Sequence, residues 1–319
     1  MTSEQPPDRA PLTRDEARVY HRGSPDYSRE VADWLVGGSA RSVLELGAGT
    51  GRLTRQLVAA GHDVHATDAE PAMLEVLLEQ LPRGARAPRT STCRAEEPGV
   101  PDRSVDVVVC AESFHLFETE PALDAIARTL RPGGHLALVW HERDERIPWV
   151  RRLGRLLDGP DAERPPVHDQ LVHSPLFSFV EEKTFKAWQD INAESVRDLV
   201  LCRPHVARLD PAAQEDRVAE VLDLYAEYGR GMDGMQLPHL VRCLRTQVVH
   251  QPGLFRTDDD PAASESAAEP EDGAVEAGPD VPADRSDRSD RSEAARRARS
   301  LETFRSDGTD TDMLLIDFR

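Results

Sequence analysis

Apolar residues recur every three to four positions over about 13–22 and again over 27–36, the spacing of two short amphipathic helices. The pattern then changes. SVLEL (42–46) reads as a buried strand, and after a Gly-rich turn RLTRQLVAAG (52–61) returns to helical spacing. DVHAT (63–67) predicts a second strand, and PAMLEVLLEQL (71–81) a helix opened by Pro71 in the favoured first turn. A weak third strand is placed near 90–94. SVDVVVC (104–110) is nearly all apolar, the mark of a strand covered on both faces. PALDAIARTL (121–130) predicts a helix stopped by RPGG, with HLALVW (135–140) as the next strand. This alternation predicts an α/β fold, an open and mostly parallel sheet with helices on both faces. Further on, IPWVRRLGRLL (147–157), 194–203 and 211–229 read as helices and FVEEKTF (179–185) as a strand. MQLPHLVRCLRTQVV (235–249) supplies a last strand, its Pro238 suiting an edge or a bulge.

Composition divides the 319 residues into three parts. Residues 1–11 are polar and Pro-rich and are expected to be disordered, 12–250 hold the folded domain, and 251–319 form an acidic low-complexity tail. The tail lacks the apolar residues a core requires. Its end, MLLIDFR (313–319), suits a peptide that docks a protein partner and equally a chance apolar terminus. The formal charge of −19 disfavours nucleic acid as a partner, because binding a polyanion needs a basic surface. Four widely spaced cysteines show no metal-ligand spacing and read as reduced thiols. The first residues do not read as a signal peptide, and no apolar run approaches the roughly 18 residues of a membrane span. The expectation is a cytoplasmic protein with no membrane segment and no metal.

The chemistry concentrates in Leu44-Glu45-Leu46-Gly47-Ala48-Gly49-Thr50-Gly51, between a strand and a helix. Glycines there let the backbone turn tightly and approach a ligand closely. A nicotinamide fingerprint would read GxGxxG; here the spacing is GxGxG, with the acid Glu45 two positions before the first glycine. That arrangement suits a ligand with an ammonium group and no pyrophosphate, such as S-adenosyl-L-methionine. Asp68, ending the second strand, is placed to accept hydrogen bonds from both ribose hydroxyls, or to cap the helix after it. Ala95 and Glu96 lie where an adenine edge would be read. Glu112 and His115 follow the fourth strand at the carboxyl edge of the sheet. His115 is the candidate general base for a hydroxyl acceptor, or else a structural histidine. Trp140 and His141 end the fifth strand as candidate pocket walls, although Trp140 suits a core equally well. No NPPY or DPPY element follows the fourth strand, where Cys110-Ala111-Glu112-Ser113 stands instead, which argues against methyl transfer to a base or exocyclic amine of nucleic acid.

With these residues in view, the chain resembles the class I methyltransferases, and among them the small-molecule branch similar to trans-aconitate methyltransferases. The motifs that carry the likeness are YHRGSPDYSREVADWL (20–35), VLELGAGTGRLT (43–54), AEPAML (69–74), AEEPGVPDRSVD (95–106), SFHLF (113–117), LRPGG (130–134), LALVWHERD (136–144), PW (148–149) and MQLPH (235–239), in order and at similar spacing over roughly 12–249. The resemblance implies a Rossmann-like sheet whose last strand is antiparallel, S-adenosylmethionine as cofactor, and a small-molecule acceptor methylated on a carboxylate or hydroxyl oxygen. It adds Ala48, Ala69 and Met73 to the cofactor's surroundings and turns Tyr20, Arg22, Tyr27, Trp140, His141 and Arg143 toward the acceptor, with Arg22, Arg143 or Arg146 able to hold an anionic group. The family's pattern is broken at Ser24, Ser28, Leu116, His141 and His239, all but Ser28 on the expected acceptor side. A non-catalytic S-adenosylmethionine sensor, or a scaffold acting through its tail, is the competing reading.

Overall fold

A computed structural model of the chain describes residues 11–82, 84, 86–158, 167–228 and 234–249. The readings made for 1–10 and for the acidic tail with its MLLIDFR end lie outside the described residues. Two helices precede the sheet, α1 (Arg14–Gly23) and α2 (Arg29–Val36). Each begins at a side-chain cap. Thr13 and Glu16 satisfy each other's backbone N–H groups in a capping box, and Ser28 accepts from the Val31 N–H.

The parallel half follows in order: β1 (Ser42–Leu46), α3 (Arg52–Ala59), β2 (Asp63–Asp68), α4 (Pro71–Glu79), β3 (Arg89–Thr92), β4 (Val105–Ala111), α5 (Thr119–Thr129) and β5 (Leu130–Arg143). The remainder comprises α6 (Pro148–Leu157), α7 (Val167–His173), β6 (Phe177–Ile191), α8 (Ala193–Leu201), the single turn α9 (Pro204–Ala207), α10 (Pro211–Tyr228) and β7 (Met235–Val248). The seven strands stand in the order β3-β2-β1-β4-β5-β7-β6, with β1 to β5 parallel and β7 antiparallel to both its neighbours.

Three differences from the sequence expectations have physical reasons. RPGG does not form a loop ahead of a strand at 135; β5 already pairs at Leu130 with Val105 and passes the glycines as an irregularity in register. The strand β7 is interior, so Pro238 is not on an edge. Its carbonyl accepts from the Asp144 N–H, just past the end of the β5 ladder at Arg143. The side of β7 that lacks an N–H at Pro238 therefore faces a place where β5 has already ended. The helix α7 was not anticipated, being short and without a clear cap in its sequence.

Alternation along the strands sends side chains to two cores. Leu44, Leu46, Val108, Leu136, Leu138 and Trp140 pack with Ile126 of α5 on one face. Val43, Val107, Val109 and Val139 pack with Leu35, Leu57 and Leu77 of α2, α3 and α4 on the other. A third cluster joins α6, α8, α9 and α10 to Ile191 and Leu237 at the ends of β6 and β7. The helix α1 locks onto it: a Cβ at Gly23 would lie 2.2 Å from the Asp198 carbonyl oxygen and 2.7 Å from Cys202 Sγ. Because the nearest obstacle is backbone, Gly23→Ala is expected to force α1 away from α8 and to cost about 1–3 kcal/mol, read as a shift in the urea midpoint. No described helix is long and apolar enough to cross a membrane.

Candidate functional site

The strand order reverses between β1 and β4, and the loops leaving their carboxyl ends diverge around a crevice. The turn after β1 makes its floor. Gly47 has φ +67°, and a Cβ there would lie 2.4 Å from Ser113 Cβ, whose hydroxyl donates to the Leu46 carbonyl at 2.7 Å. Gly49 has φ +56° but open space beside it, the nearest atom being Tyr20 Cε1 at 3.8 Å. Gly51 serves packing instead: a Cβ there would meet Leu77 of α4 at 2.5 Å, and Gly51 does not line the crevice.

Glu45 is fully buried beneath this turn. Its Oε2 accepts from Thr54 Oγ1 at 2.6 Å, while its Oε1 is buried with no hydrogen-bond partner. Burial, opposed by the Thr54 hydrogen bond and reinforced by the Asp68 charge, pushes the Glu45 carboxyl up to about 8. Asp68 ends β2 and takes the Gly49 N–H on Oδ2 at 2.8 Å and the Glu70 N–H on Oδ1 at 2.9 Å. The residue at the cap position of α4 is Glu70, so Asp68 fastens the glycine turn to the start of α4 and does not itself cap the helix. Burial raises its pKa as well.

Next to β1, the chain leaves β4 at Glu112, a non-glycine residue held at φ +57°. Such a conformation is costly and concentrates at sites where direction matters. It turns Glu112 toward β5, where its carboxylate receives the His141 N–H and lies 3.7 Å from His141 Nδ1. His115 follows on a one-turn 3-10 helix, Phe114–Leu116.

Together these residues bound a cleft of about 1550 Å³, above the roughly 300–1000 Å³ of a single small-ligand pocket. The expected Glu45, Gly47, Ala48, Gly49, Asp68, Ala69, Met73, Ala95, Glu96, Glu112 and His115 line it, as do Tyr20, Tyr27, His141 and Arg143. The departures Ser24, Leu116, His141 and His239 line it too, whereas Ser28 caps α2. Three acceptor-side expectations need correction. Trp140 shares its strand face with Leu136 and Leu138 and is buried in the α5-side core, while alternation turns His141 to the cleft. Arg22 lies outside the cleft, its guanidinium bound to Asp198 at 2.6 and 2.9 Å across the α1–α8 contact. Arg146 is likewise outside and pairs with Asp144.

Several contributors were not legible in the sequence. His21 Nδ1 lies 2.9 Å from Thr50 Oγ1, tying α1 to the glycine turn; burial, with Arg52 and Arg55 nearby, lowers its pKa to about 4. Both arginines clamp Asp26, whose carbonyl oxygen in turn lies 3.2 Å from His141 Nε2. His239 on β7 and Arg203 between α8 and α9 also belong to the wall of this cleft. Only His239 gave a signal beforehand, as a break in the family pattern.

The donors and acceptors suit S-adenosylmethionine. A buried carboxylate with an orphan oxygen fits an ammonium group, a second carboxylate at the end of β2 fits a ribose, and at Gly49 the floor is open to close approach. Comparison with known proteins agrees. The family described as "Methyltransferase domain" matches residues 44–138, from β1 through most of β5. An uncharacterized methyltransferase of Mycobacterium tuberculosis is 38% identical over 230 residues, covering 71% of this chain and 91% of that protein. A protein of Aspergillus nomiae named an O-methyltransferase is 32% identical over 162 residues, 48% of this chain and 72% of that protein. Among solved structures, one assigned to the type II methyltransferases, from Anaeromyxobacter dehalogenans, has a TM-score of 0.51 at 24% identity, covering 70% of this chain and 97% of that one, and supports the fold. The chain belongs to the class I S-adenosylmethionine-dependent methyltransferases.

Proposed function

We propose that this enzyme methylates a small molecule on oxygen, at a carboxylate or a hydroxyl group. The observation that carries the reading is the size and lining of the cleft. The glycine turn and the acids Glu45 and Asp68 line one part, while α1 and the α8–α9 segment contribute to the lining together with Tyr27, His141 and His239. A volume larger than one ligand needs, lined from both the sheet edge and the helices α1 and α8, favours a cofactor beside a small acceptor. The Aspergillus relative's name supports oxygen as the methylated atom.

In this reading Glu45 would hold the ammonium end of the cofactor, and Asp68 the ribose through the lone pairs its two backbone donors leave open. Ala69, Met73, Ala95 and Glu96 would surround the adenine. The bound cofactor supplies an electrophilic methyl group on a sulfonium. The protein's task is then to exclude water and align the acceptor oxygen, which provides most of the acceleration. His115, at the rim of β4, would take the proton from a hydroxyl acceptor; a carboxylate acceptor needs no base.

The test is to incubate the full chain with methyl-labelled S-adenosylmethionine and fractionated metabolites and to follow the label by mass spectrometry. A methyl ester or ether is the expected product; a label on nitrogen or on nucleic acid would overturn the reading. Asp68→Ala should weaken cofactor binding by about 1.5–3 kcal/mol, and an unchanged calorimetric affinity would remove its ribose role. His115→Ala should slow turnover of a hydroxyl acceptor by about 10²–10⁴-fold and of a carboxylate acceptor only slightly. A large loss together with an ester product would remove His115 as the base.

A further inference from the structure

Among the described residues four arginines line the cleft, Arg52, Arg94, Arg143 and Arg203, and three of them are paired with acids. Arg52 meets Asp26 at 2.6 Å, Arg94 meets Glu118 at 2.9 Å and Glu96 at 3.2 Å, and Arg143 meets Asp158 at 2.5 Å. Arg143, expected from the sequence to hold an anion, is thus already paired. Arg203 stands apart. Among the described residues it makes no ion pair, and its Nε, like those of Arg52 and Arg143, is buried without a hydrogen-bond partner. Its charge acts on His239 and on Tyr20.

The same wall holds further unmet hydrogen-bonding groups. His239 is 4% exposed, and neither ring nitrogen has a partner. The Tyr27 hydroxyl is buried and unpartnered as well. The rings form one row, Tyr27 against His141 at 4.4 Å and His141 against His239 at 5.7 Å between centroids. Buried polar groups are nearly always paired, so three orphans in one wall of a cleft call for a partner that enters it.

We propose that Arg203 anchors a carboxylate of the methyl acceptor, with His239 and Tyr27 completing its hydrogen bonds. The proposal rests on the small-molecule acceptor inferred above and names its charged group. A guanidinium offers a planar fork that matches a carboxylate. A single guanidinium without a paired acid matches a monoanion, whereas a phosphate dianion would bring excess negative charge beside Glu112, Glu142 and Glu145 of the same cleft. His239 adds a donor without adding charge, because burial, with His141 and Arg203 nearby, lowers its pKa to about 3 and keeps the ring neutral.

The bland alternative is that Arg203, just past the end of α8, answers that helix's terminal carbonyls and does nothing else. Calorimetry separates the two. The full chain, saturated with S-adenosylhomocysteine, is titrated with benzoate, phenylacetate and succinate and with the corresponding amides. At least one carboxylate is expected to bind, at least tenfold more tightly than its amide. Arg203→Gln should weaken that carboxylate about 10- to 100-fold while leaving S-adenosylhomocysteine affinity and the thermal midpoint in place. Arg203→Lys should restore part of the loss. Equal binding of acid and amide, no carboxylate binding at all, or an unchanged affinity in Arg203→Gln would each overturn the proposal. A fall in stability and nucleoside affinity in that variant would assign Arg203 to the helix end instead. The O-methylation reading fails independently of these outcomes, by the position of the transferred label.

Discussion

Gly47→Ala is expected to destabilise the protein by roughly 2–5 kcal/mol and to abolish cofactor binding, the largest single-residue effect in the glycine turn. Two costs add. The φ of +67° is poorly tolerated by any residue with a Cβ, and the new methyl group would lie 2.4 Å from Ser113 Cβ. Ser113 cannot retreat, because it is buried and its hydroxyl is held by the Leu46 carbonyl at 2.7 Å. Gly49→Ala is the informative control. It carries a similar conformational cost of about 1–2 kcal/mol but meets nothing closer than 3.8 Å. Its methyl group would enter the space a ligand needs, so the fold should survive while cofactor binding is lost. Urea unfolding and calorimetric titration of both variants read the two effects separately. A Gly47→Ala protein as stable as the wild type would mean that Ser113 is not the fixed floor described above.

The parts of this architecture that were legible in the sequence are those whose signal is local. SVLEL and SVDVVVC are mostly apolar because they are buried in a sheet covered on both faces, and the glycine turn carries its demands in five consecutive residues. The strand β6 shows where such reasoning weakens. It runs from Phe177 to Ile191, yet most of its side chains are exposed. Backbone pairing with β7 holds it, and the sequence reading of a strand over 179–185 covers only about half of its length. Trp140 and His141 show the same limit within the site. Adjacent residues on a strand face opposite ways, and only packing decides which of the two reaches the cleft.

Charge compensation is less legible still. Arg22, Arg143 and Arg146 looked like candidate anion holders, and each is taken by an acid. For Arg22 that acid is 176 residues away in the chain. The uncompensated Arg203 stands out only once the three-dimensional pairing of every other arginine in the cleft is known.

Glu45→Gln is expected to make the cofactor-free protein more stable in alkali, and its pH dependence follows from linkage. In the native protein this carboxyl titrates near 8, against an ordinary value of 4.5. Between those two values the native state keeps a proton that the unfolded chain has released, so wild-type stability falls as pH rises through the window. Below about 4.5 the penalty is absent, and above about 8 it is complete, on the order of 5 kcal/mol. Glutamine cannot ionise and carries no such slope. It does place an amide beside Thr54, at a cost that does not vary with pH. The measurement is therefore the change in the difference between the two proteins, from urea unfolding at pH 5, 7 and 9. That difference should move steadily in favour of Glu45→Gln. Parallel curves would mean that Glu45 is already ionised at low pH and that its orphan oxygen is in effect solvated. The same variant should bind S-adenosylmethionine less tightly at pH 7. A buried carboxylate with one oxygen unpartnered and no cation beside it, repelled by Asp68, weakens the empty protein and is compensated only when a cation arrives. The residue that most destabilises the empty site is thus the one expected to contribute most to holding the ammonium end of the cofactor.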